Sequence, residues 1–203
     1  PKNIEKMRDF IAVRPGWGIK SRFDLFNRLR QIDNGGHRKK FEELGMHISS
    51  LSEEEYRELL EKTKGDNEKL QEIRIVKKYY EELGEKSIMA WDYGRDICLC
   101  RWGYMAGYVS EEEAWTRIMA VAQMLQNKFD SWEDLGRNYL IGRQFWSYEK
   151  TKEEGHLFED AYQRLLDMKS SPWNKYPWDM DLTDTKEVGD ANKVSKEQQI
   201  NGK

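Results

Sequence analysis

No stretch of the 203-residue chain stays apolar for more than a few residues, far short of the roughly 18 to 20 that carry a helix across a bilayer. A membrane-spanning helix is therefore not expected. Cysteine is almost missing: Cys98 and Cys100 stand alone. Two positions apart on a helix, they point to different faces and cannot bridge each other. Both read as small core residues of a reducing compartment, so the expected location is the cytoplasm. Histidine is scarce too. His37, His47 and His156 fall in separate segments with no HExxH or CxxC spacing, and neither a metal nor another cofactor is expected.

An excess of charge of one sign is also lacking. Lys and Arg number 34 against 37 Asp and Glu, for a net charge of -3 and a pI near 5.8. No basic field is available to displace counterions from a nucleic acid, which argues against DNA or RNA as a partner. The start, Pro1-Lys-Asn-Ile-Glu-Lys-Met, has no apolar core behind a basic end, so no secretion signal is legible. The absent initiator Met fits a domain excised from a longer polypeptide, or a trimmed one. Arg14-Pro-Gly-Trp-Gly is glycine-rich but lacks the GK[ST] end of a phosphate loop, and no Gly-x-Ser-x-Gly elbow is found.

What the chain does contain is material for one core: eight Trp, ten Tyr and seven Phe among many charges. Helix signals recur and no strand alternation is sustained, so the class is all-α. Ser21 with Asp24 opens a helix through Leu25, Phe26, Leu29 and Ile32, which Gly35-Gly36 stops. A short basic turn of helix is expected over 37–44. Ser52 with Glu55 forms a capping box for a polar helix to about Lys64. Asp66 or Asn67 caps the next, with Leu70, Ile73, Val76, Tyr80 and Leu83 inward. Ser110 with Glu113 repeats the box, before a stripe of Trp115, Ile118, Met119, Ala122, Leu125 and Phe129. Ser131 and Asp134 start another helix, in which Gly142 lets a neighbour come close. A last helix is expected over 153–168, with Leu157, Phe158, Ala161 and Leu165 inward. Ser171-Pro-Trp-Asn-Lys-Tyr-Pro-Trp-Asp reads as an extended strap docking Trp173 and Trp178. The resulting organisation is a lead-in over 1–16, a single compact multi-helix bundle over 17–182, and a polar tail over 183–203 that composition marks as disordered.

The stretch Ile88–Tyr108, "IMAWDYGRDICLCRWGYMAGY", reads as a central helix over 87–106 with Ile88, Trp91, Leu99 and Trp102 as its stripe. Charges sit inside it. Asp92 and Arg95, three apart, are neighbours on or beside that stripe and are expected to be buried. Together with Arg101, Glu113, His37 and Arg38 they form the candidate site. Two readings stand. In one, the groups converge in a cleft where Asp92 acts as general base and an arginine holds an anion. In the other, preferred because an unpaired charge is so costly in a core, they pair with one another and with the Gly36-His37-Arg38 turn to fix the helix in register. Glu113 also reads simply as a capping-box residue, and His37 as the residue closing a turn.

Several motifs are held in common with a known family: Ala90-Trp-Asp-x-x-Arg95, Arg101-x-Gly-Tyr-x-x-Gly-Tyr108, Ser110-Glu-Glu-Glu-Ala-Trp115, Phe129-x-Ser-Trp132, Tyr139-x-x-Gly142, Trp146, Ser171-Pro-Trp173 and Pro177-Trp178, with Trp17-Gly-Ile-x-Ser21 and Gly36-His-Arg38 upstream. Over about Trp17 to Leu182 the sequence resembles the bacterial domain of unknown function DUF1266. The resemblance implies a bacterial, mainly helical domain and brings no catalytic residues with it. The expected function is that of a soluble interaction or accessory domain, with another protein as partner and a structural polar core. The alternative is an effector or toxin-like enzymatic domain at the C-terminal end of a larger polypeptide, using the Asp92, Arg95, Arg101, Glu113 and His37 cluster.

Overall fold

A computed structural model describes residues 2–13 and 17–183. Nearly all of the expected disordered tail lies outside the described residues, as do Arg14, Pro15 and Gly16. Among the described residues the structure is helical with no strand: α1 Lys2–Val13, α2 Arg22–Asp33, α3 Arg38–Ser49, α4 Glu53–Lys62, α5 Asn67–Leu83, α6 Met89–Met105, α7 Glu111–Lys128, α8 Trp132–Trp146, α9 Tyr148–Asp167 and the single turn α10 Pro172–Lys175. No described helix is long and apolar enough to cross a membrane.

Local chemistry sets most of the helix starts. The hydroxyls of Ser21, Ser52, Ser110, Ser131, Ser147 and Ser171, and the Asp66 carboxylate, each accept a backbone N–H three residues on. Glu55 and Glu113 reach back to complete capping boxes. Each such cap satisfies donors that the helix itself leaves bare, and is worth about 1 kcal/mol.

Helix α6 is the axis of the fold, packing against α8, α7, α2 and α1, while α3 packs on α5 and α9 on α8 and α5. Phe41, Ile73, Val76, Ile88, Trp91 and Phe145 form one apolar cluster, from α3, α5, α8 and the start of α6. Ile11, Ile19, Leu25, Leu29 and Leu99 form a second, where α1 and α2 meet α6. Ala90, Val121, Leu125 and Phe129 form a third under α7. Each fully buried large side chain contributes roughly 1.5 to 3 kcal/mol. Close approach depends on glycine at Gly142, where a Cβ would stand 2.3 Å from the Cβ of Trp91.

Some expectations need correction. Helix α3 does not stop at Leu44 but runs to Ser49, because Gly45 ends nothing. It makes room for Tyr80, whose ring would lie 2.1 Å from an added Cβ. Helix α9 starts at Tyr148, five residues before the expected Glu153. In α7 the buried positions are Ala114, Val121 and Leu125, whereas Trp115 is exposed; the start of that helix meets the core with a small side chain, leaving no room there for an indole. Leu157 is exposed rather than inward. The strap is not wholly extended, since Ser171 caps a helical turn over Pro172–Lys175. Both strap tryptophans dock: Trp173 stacks on Trp132, with centroids 5.9 Å apart, and the Trp178 indole N–H donates to the Phe129 carbonyl at 3.0 Å. The lead-in contains α1, whose Ile11 is buried in the second cluster.

Candidate functional site

Asp92 leaves α6 at its first turn with its side chain fully buried. It points at the turn between α2 and α3. There the backbone N–H groups of His37 and Arg38 donate to its two carboxylate oxygens at 3.1 and 3.0 Å. Gly36 sits at φ 52, and a Cβ on it would fall 2.5 Å from Asp92 Oδ2, so both its left-handed conformation and the carboxylate require a glycine. Arg95, one turn further along α6, donates to Asp92 and also faces His37 Nδ1 at 2.7 Å. A guanidinium has only donors, so that ring nitrogen must be the acceptor. Arg38 reaches back to the Ile32 carbonyl at 3.1 Å and lies over the Tyr93 ring. The Arg95 guanidinium sits over the rings of Trp17 and Trp91.

Burial by itself pushes the Asp92 carboxyl up, but the Arg95 charge and the two backbone N–H groups together hold it below the usual carboxylate range. Burial pulls the Arg95 guanidinium down from its ordinary value, against the attraction of Asp92. The result is an anion seated at the N-terminus of α3, where aligned peptide dipoles favour it. His37, whose side chain is 32% exposed, opens most to solvent, and Arg95 is half-buried. A substrate could not reach Asp92 without parting α3 from α6.

Two members of the expected cluster lie apart from Asp92. Arg101 is exposed: six residues beyond Arg95 it is turned by about 240° around the helix and leaves the inward face. Glu113 is exposed as well, closing its capping box and pairing bidentately with Arg22 at 2.6 and 3.0 Å. The Arg22 hydrogen bond and the Ser110 N–H hold its carboxyl down at about 2, yet in open solvent such a pair is well screened.

A second network was missed. Asp96, also fully buried, takes the Arg117 guanidinium of α7 on both oxygens, with Nε at 3.0 and 3.2 Å. Arg117 then continues to Asp33 at the end of α2, at 2.9 Å. Burial opposes the Arg117 charge, but its hydrogen bonds to Asp96 and Asp33 prevail and raise its pKa. The thiol of Cys100 donates to Asp96 at 3.7 Å; burial and that carboxylate push it up to about 12, which makes it a poor nucleophile. Among the described residues no group of three or more His, Cys, Asp or Glu is placed to hold a metal ion.

Above this network lies an open groove of about 740 Å³ between α2 and α7, floored in part by Leu25, Leu29 and Cys100 and edged by Phe26, Arg22 and Glu113. No sequence motif marked it, because its walls come from separate helices. The one large aromatic on its rim is Phe26 of α2, which is 38% exposed.

The family described as "Protein of unknown function (DUF1266)" matches residues 12–178. Two Escherichia coli K12 proteins, each described as uncharacterised, are similar. YbeU is 27% identical over 159 residues, 78% of this chain and 66% of its own, and YbeR is 29% identical over 150 residues, 73% and 61% respectively. The chain thus aligns with just under two thirds of the length of each relative. No solved structure matches. With the family match running from the last two residues of α1 through Trp178, the chain belongs to the DUF1266 family.

Proposed function

We propose that this chain is a bacterial protein-binding module, acting in the cytoplasm, that receives an amphipathic helix of another protein in the α2–α7 groove. The observation that carries this reading is the division of labour among its charges. Asp92, Arg95 and Arg38 are closed into the α3–α6 junction, whereas the groove presents an apolar floor with charged side chains of both signs at its edge. A helix laid into a groove is read by apolar anchors at its i, i+3, i+4 and i+7 positions, flanked by charges. The near balance of positive and negative side chains favours a protein over a nucleic acid as the partner.

The test is a photo-crosslinking residue placed at Phe26 in cells of a DUF1266-containing bacterium, with the same residue at the exposed Glu61 on α4 as control. The expected result is a discrete adduct from position 26 whose crosslinked peptide lies on an amphipathic helix, and whose purified parent protein loses binding to Phe26→Asp. Adducts that are identical from both positions, or binding indifferent to Phe26→Asp, overturn the reading.

A further inference from the structure

A second cavity, of about 300 Å³, lies where α9 and α10 cover α6, α7 and α8. We infer that it is a binding site for an uncharged planar aromatic molecule of about two fused rings. The size is the first argument. Small-molecule pockets begin near 300 Å³, and an engineered apolar cavity of about half that volume takes up benzene. The lining is the second: Tyr139, Phe158, Tyr162 and Trp173 bring four aromatic rings around it, aliphatic side chains such as Leu125 and Leu135 complete it, and no charged side chain lines it. Sugars, nucleotides and other strongly polar or charged ligands would lose hydration there with nothing in return. Flat rings, by contrast, meet edges and faces suited to offset or perpendicular stacking.

The third argument is the state of the cover. Helix α9 is 20 residues long, yet Gly155 is its only fully buried residue. Phe158, Ala161 and Leu165 all line the cavity and all stay half-exposed. Such a loosely seated helix gives a ligand its way in. Gly136 sets the position of the roof, because a Cβ there would lie 2.5 Å from the Trp173 ring and 2.7 Å from Tyr162. The Tyr162 hydroxyl is engaged with the Glu133 carbonyl at 3.3 Å.

The experiment titrates the full 203-residue chain with 2-naphthol, an uncharged two-ring phenol, by isothermal calorimetry and by methyl shifts of Leu125, Leu135, Ala161 and Leu165. Saturable one-to-one binding that moves those methyls is expected. Ala161→Phe and Leu165→Phe, which fill the cavity from α9, should each weaken it at least tenfold while the protein still melts cooperatively. Should one variant fail to fold, the other together with the wild-type shifts decides. The inference is overturned if 2-naphthol gives no saturable binding up to its solubility, if a folded filling variant binds as tightly as the wild type, or if dodecanol binds in its place.

Discussion

Asp92 and Asp96 stand one turn apart on the same helix and both are fully buried, yet they are held in opposite ways. Asp92 is met by peptide N–H groups of the α2–α3 turn, partners that no substitution short of proline can remove. Asp96 is met by side chains alone, Arg117 and Cys100. One carboxylate holds a backbone and so fixes where a helix begins. The other holds a guanidinium and so fixes how α6 lies against α7 and the end of α2. The contrast shows that equal burial of equal charges says little about how far each can be replaced.

The sharpest way to break this comparison is to truncate Asp92. Asp92→Ala leaves Arg95 and two peptide donors uncompensated and should lower stability in urea by about 3 to 5 kcal/mol. Arg117→Met, which strands Asp96, should cost about 3 kcal/mol. The double replacements separate the two sites. Asp96→Leu with Arg117→Leu should come within about 1 kcal/mol of the wild type, as a paired charge exchanged for packed apolar groups often does. Asp92→Leu with Arg95→Met should still lose roughly 1 to 3 kcal/mol, because the His37 and Arg38 N–H groups stay bare. Equal outcomes for the two doubles would erase the distinction. Trp173→Ala, at a half-buried ring on the strap, should cost about 2 kcal/mol, below the range for a fully buried tryptophan.

The smallest expected effect is on pH. The Asp92 carboxyl is lowered from its ordinary 3.8 on folding, so the unfolded chain takes up its proton first as the solution is acidified. Its contribution is therefore fully present above about pH 4 to 5 and is lost as the pH falls through the depressed folded value. Asp92→Asn should flatten the acid limb of a stability profile and leave its slope near neutrality unchanged. An unaltered acid limb would place the titration elsewhere.

How much of this was legible depended on the range of the interaction. The Asp92–Arg95 pair and its turn could be read because three-residue spacing and the Gly35-Gly36 stop are local signals. Asp96 was visible as a charge within an apolar helix, but its partner Arg117 sits 21 residues away, on a helix whose rotation was judged from Trp115. The expected stripe met the core at Leu125 and Phe129 but began at Trp115, whereas the inward residue there is the small Ala114. The early start of α9 was hidden for a similar reason. Glu68 of α5 accepts from the Glu149 N–H at 3.1 Å, from the Tyr148 N–H, and from the Ser147 hydroxyl at 2.9 Å, a cap contributed from some 80 residues upstream.

Borrowed caps also bear on the order in which the chain can fold as it is made. Neither α3 nor α6 has a capping side chain of its own. The start of α3 rests on Asp92, 54 residues downstream of Arg38. The start of α6 rests on Asn138, which accepts from the Ala90 N–H at 3.0 Å, 48 residues further on, and donates to the Ser87 carbonyl at 2.7 Å. At roughly 5 to 20 residues per second, synthesis imposes a lag of several seconds on each. During that interval α2, α4 and α5 can be capped by their own Ser21, Ser52 and Asp66, but α3 and α6 lack finished starts. The axis of the bundle therefore closes late, after α8 has cleared the ribosome, and a nascent chain stalled before Asn138 keeps α6 without its cap.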